Sequence, residues 1–105
     1  MDSIDNNRLL LEIDRSLRNL NREIINPEIP ELTLDGLTPV LSMVARSRSK
    51  YLKEVLNLAE VVGEGNPSPE QVNKLSRLRF AYEELVAASK ALEIAIERGY
   101  LDVHR

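Results

Sequence analysis

The chain has 105 residues, enough for one hydrophobic core and too few for two, and its 43% apolar and 30% charged residues are a globular rather than a disordered composition. It has no cysteine, which excludes disulfides, thiolate metal sites and cysteine nucleophiles. A net charge of −3 gives no global attraction to nucleic acid or to an anionic membrane, so any basic patch has to be local.

Only one Phe and three Tyr are present, with no Trp, so Leu, Ile, Val and Ala have to fill the interior. The opening MDSIDNN is acidic and polar rather than secretory, and no apolar run approaches the roughly 18 residues that span a bilayer. The expectation is a soluble cytoplasmic protein with no membrane contact. Every proline and glycine falls within 27–39, within 63–69 or at 99. Between them lie three long blocks with helical periodicity.

In the first block Leu10, Ile13, Leu17, Leu20 and Ile24 recur at alternating steps of three and four, which lines one face of a helix predicted over 3–25. The connection 26–38 holds Ile29, Leu32, Leu34 and Leu37 and is expected to pack over one end of the fold. The second helix is predicted over 39–62, with Thr38 as N-cap, Pro39 at the first helical position and Gly63 as its stop. In the third, Ser68 and Gln71 of SPEQ form a capping box and Gly99 closes a helix over 69–98, leaving a short tail 99–105. Its stripe is the most regular: Leu75, Leu78, Tyr82, Leu85, Ser89, Leu92 and Ile96. Short connections favour antiparallel neighbours, so the predicted fold is all-α, an antiparallel up-down-up three-helix bundle forming a single domain over 1–105.

At about 100° per residue, Leu41, Val44, Leu52, Val55, Ala59 and Val62 define one apolar arc of the second helix. Arg48 projects into the middle of it. A buried unpaired guanidinium is too costly to persist, so Arg48 has to be paired, snorkelling or at an interface. Level-counting along the bundle sets it near Asp14, Tyr82 and Ser89. The favoured reading is a buried polar layer of Asp14, Arg48, Tyr82 and Ser89; the alternative is a recess binding a carboxylate or phosphate.

The third helix carries a second stripe, Phe80, Ala87, Ala91 and Ile94, roughly opposite the first. A helix apolar on two sides is central or is covered by a partner, and alanines let another helix approach closely. A homodimer or protein partner on this stripe is therefore expected, against cover by the connection or the tail. Arg46, Lys50 and Lys53, with Lys74, Arg77 and Arg79, are the possible phosphate contacts of a nucleic-acid-binding module, the runner-up function, although three cations per face on an acidic chain are also ordinary solvated helix surface.

Catalysis has no motif. His104 is the only histidine, no Glu-x-x-His accompanies the paired glutamates, and GEGNPSP lacks a phosphate-binding lysine. The Arg98 and His104 spacing of a helical nuclease ranks a distant third. The expectation is a non-catalytic helical adaptor, chaperone-like or regulatory subunit, dimeric through its third helix, with no cofactor, metal or evident small-molecule ligand.

Overall fold

The computed structural model describes residues 3–104, and these are all-α. Helix α1 spans Ser3–Ile25, α2 Leu34–Val62 and α3 Pro69–Glu97. A single 3-10 turn occupies Asn26–Glu28, and the only extended pairing among the described residues is an isolated bridge from Leu32 to Val103. The all-α, three-helix class expected from the periodicity is the one the chain adopts. Packing separates it into two compact units. One joins the chain up to Gly36 with Leu92 onward, the other is Leu37–Ala91, and α3 runs through both.

The helix ends follow from local chemistry. At the start of α3 the Ser68 N–H donates to Gln71 Oε1 at 2.8 Å and the Gln71 N–H donates to Ser68 Oγ at 3.2 Å, the reciprocal pairing the SPEQ spacing predicts. At its end Gly99 takes φ +74°, with the Tyr100 N–H donating to Ala95 O at 2.9 Å and the Gly99 N–H to Ile96 O at 3.1 Å. These two bonds are the Schellman closure.

Helix α2 begins a turn and a half earlier than predicted. Its cap is Thr33, whose Oγ1 accepts from the Gly36 N–H at 3.0 Å, and Pro39 lies inside the helix rather than at its first position. Proline there removes the donor that would reach the Asp35 carbonyl, a loss the predicted start at Pro39 avoids. Thr33 supplies a competing start upstream, and Leu34 and Leu37 join the helix instead of the connection.

In the second unit α2 and α3 form an antiparallel pair. Tyr51 stacks on Tyr82 with ring centroids 6.1 Å apart, and Lys74 Nζ lies 3.5 Å from Glu54 Oε2 nearer the turn. The half-buried positions of α3 include all of Leu75, Leu78, Tyr82, Leu85, Ser89, Leu92 and Ile96, the predicted stripe, of which Leu92 and Ile96 belong to the first unit. On α2 the expected arc is corrected. Leu37, Val40, Ser42, Val44, Ser47, Tyr51, Glu54, Leu58 and Val62 are the half-buried positions, whereas Leu41, Leu52, Val55 and Ala59 are exposed, Leu52 by 54%. The apolar arc of α2 is wide enough for two adjacent stripes, and one neighbouring helix covers only one of them.

In the first unit the α1 stripe of Leu10, Ile13, Leu17, Leu20 and Ile24 is exposed throughout, at 45–67%. Leu101 of the tail, 4% exposed, is the only buried residue among those described. The Gly99 conformation yields a direct test. Placing a Cβ in the left-handed region costs about 1–2 kcal/mol, and nothing lies within 4 Å of the added atom to offset or enlarge that cost. Gly99→Ala is therefore expected to lower stability by that amount in denaturant unfolding, and Gly65→Ala, where φ is not positive, by clearly less.

Candidate functional site

The most chemically distinct part of the α2–α3 pair is the level of Arg48. Its Nε donates to Tyr82 Oη at 3.1 Å and its guanidinium carbon lies 5.3 Å from the Tyr82 ring centroid. Tyr82 is half-buried because it is a seam residue of α3, and its ring supplies a face for the cation while its hydroxyl accepts. Arg48 itself is exposed. The guanidinium is thus paired without being buried.

This corrects the expected buried layer. No polar side chain is buried among the described residues. Of the four residues, the structure brings Arg48 and Tyr82 together; Ser89 is half-buried further along α3. Asp14 is engaged in its own unit, 3.2 Å from Arg18 Nε and 4.0 Å from an Arg98 nitrogen. Tyr51, which completes the stack, was not among the expected residues, although its position on the seam of α2 is the signal that marks it.

The second stripe of α3 is exposed along its whole length. Phe80 is 68% exposed and Ile94 49%, with Ala87 and Ala91 exposed between them. The connection and the tail pair with each other: the Leu32 N–H donates to Asp102 O at 3.0 Å and the His104 N–H to Leu32 O at 2.8 Å.

The possible phosphate contacts divide into two kinds. Lys74 is paired with Glu54, and Arg79 Nε lies 3.8 Å from Glu83. Arg46, Lys50, Lys53 and Arg77 have no ion-pair partner among the described residues. His104 lies 3.4 Å from a Glu31 oxygen by its Nδ1, while Arg98 is beside Asp14, so the two are not assembled into one site. No group of three His, Asp or Glu side chains converges as a metal site among the described residues, and none of their helices is long and apolar enough to cross a membrane.

Sequence reasoning missed the ionic clasp of the first unit. Arg22 donates to Asp102 Oδ1 at 2.6 Å and to the Gly99 carbonyl at 2.8 Å. Asn26 closes it from both sides: its amide nitrogen lies 3.4 Å from Asp102 Oδ2, and its Oδ1 accepts from the Asp102 N–H at 3.2 Å. The hydrogen bond from Arg22, then that from Asn26, then the Arg22 charge hold the Asp102 carboxyl below the ordinary carboxylate range. Arg22 and Asp102 are separated by 80 positions in sequence, so no local spacing announces the pair.

Comparison with protein-family models, curated proteins and solved structures found no match. Two tests address the geometry. Arg48→Ala is expected to cost no more than about 1 kcal/mol, the scale of an exposed cation over a ring; a loss near 3 kcal/mol would restore a buried layer. For the clasp, folding lowers the Asp102 pKa, so its contribution is full above the unfolded-state value and is lost as pH falls through the lower folded value. An NMR titration of the carboxyl is expected to find its midpoint below the ordinary range, and Arg22→Ala is expected to move it upward.

Proposed function

We propose that the chain is a non-catalytic helical interaction module that self-associates through the outer face of α3. The observation supporting this reading is the exposed ridge of Phe80, Ala87, Ala91 and Ile94 on a helix of 29 residues. Such a helix is about 43 Å long, which is length enough to carry the roughly 800 Å² per partner of a stable interface. A two-fold axis crossing α3 near Ala87 and Ala91 would set two small residues at the point of closest approach, with Phe80 and Ile94 packing outward along the contact. A cytoplasmic adaptor or regulatory subunit is part of the same reading, on an acidic, charge-rich composition.

A nucleic-acid-binding role draws less support. Lys74 and Arg79 already face carboxylates, and Tyr51, the aromatic residue between Lys50 and Lys53, is half-buried and stacked on Tyr82 rather than open to a base. The expected outcome is a dimer in sedimentation equilibrium, and a folded monomer for Ala91→Arg, whose charge would be forced into the contact. A wild-type monomer at high concentration, or a variant that dimerises normally, would remove the α3 interface.

A further inference from the structure

On a different face from the Phe80 ridge, α2 and α3 line an open groove with a volume of about 290 Å³. Its apolar lining is Met43 from α2 with Leu78, Ala81 and Leu85 from α3, and Arg46 and Lys50 stand on the α2 side. Ser47, the remaining lining residue, donates its hydroxyl to the Val44 carbonyl at 2.9 Å, so it makes no demand on an occupant. The volume is at the lower edge of small-molecule pockets, which suits a pair of inserted side chains better than an enclosed ligand.

The charges have a direction. Arg46, Lys50 and Lys53 follow one another at steps of four and three, a rail of cations along one side of α2. None of them has a carboxylate partner among the described residues, whereas Glu54 is drawn to Lys74. An apolar floor between two antiparallel helices beside such a rail matches a third helix, with apolar residues on the floor and carboxylates one turn apart on the cations. Phosphate recognition fits less well, because the floor is aliphatic and gives no ring for a base.

We propose that this groove docks an acidic amphipathic helix of a partner protein. Its apolar ridge packs on Met43, Leu78 and Leu85, and carboxylates spaced i, i+4 and i+7 meet Arg46, Lys50 and Lys53. Docking here does not require the α3 dimer, and a dimer would carry two such grooves.

The test is fluorescence anisotropy on the full chain with a labelled helical peptide bearing Leu along one face and Glu at i, i+4 and i+7 beside it. The comparison probes are the same peptide with Gln for Glu, poly-glutamate, and single-stranded DNA. Binding of the Glu peptide in the micromolar range is expected, lost about tenfold or more in Arg46→Glu/Lys50→Glu and weakened in Arg46→Gln/Lys50→Gln, with Lys90→Glu unchanged. Circular dichroism identifies any variant that has not folded, and the Gln pair then serves alone. No binding of the Glu peptide, equal binding of the Gln peptide or poly-glutamate, or tighter binding of DNA overturns the proposal. Sedimentation of the same samples separates the two readings: a monomer that binds the peptide through Arg46 and Lys50 retains the groove and loses the dimer, and a dimer that ignores the peptide does the reverse.

Discussion

A pair of helices has one seam, and in the second unit that seam is spent on Tyr82 and its neighbours. Leu75, Leu78, Leu85 and Ser89 on α3 share it with Val44, Ser47, Tyr51 and Leu58 on α2. Once those positions are committed, every other apolar side chain of the two helices has to lie on a flank or on the back. The flank becomes the groove of Met43 and Ala81, the back becomes the Phe80 ridge, and the remaining side of α2 keeps Leu52 and Val55 in solvent. The surfaces available for recognition are therefore consequences of a single packing choice.

Arg48 shows the same choice at the level of one side chain. Within the stripe of Leu41, Leu52 and Val55 a guanidinium would have to be desolvated if that stripe were the one packed on α3. By turning the adjacent stripe inward, the pair leaves Arg48 at the edge, where the Tyr82 ring and hydroxyl receive it and water still reaches it. A hydroxyl and a ring face are a weaker partner than a carboxylate, and for an exposed cation they suffice.

The sequence carried the class of fold and the ends of α3 because both are encoded within a few residues. The Ser68 and Gln71 box and the Gly99 closure are contacts between near neighbours, and the α3 stripe has one unambiguous apolar line toward α2. The start of α2 was less legible, since Thr38 before Pro39 is the stronger local signal and Thr33 before Leu34 the one that operates. The inward face of α2 was ambiguous for a related reason: two apolar stripes lie side by side, and periodicity does not rank them. The cations were visible as a group, but which of them stay unpaired depends on Glu54 and Glu83 meeting Lys74 and Arg79.

The Arg22, Asn26 and Asp102 clasp has a consequence for how the chain folds. Holding together groups 80 residues apart costs a flexible chain about 4 kcal/mol in loop entropy, more than exposed ion pairs return. The clasp does not meet that cost alone, because the backbone bonds from Leu32 to Asp102 and from His104 to Leu32 close the same loop within the first unit, and Leu101 beside Asp102 is the most buried of the described residues. One closure entropy is thus set against several contacts made together, so removing any one of them weakens the hold of all the others.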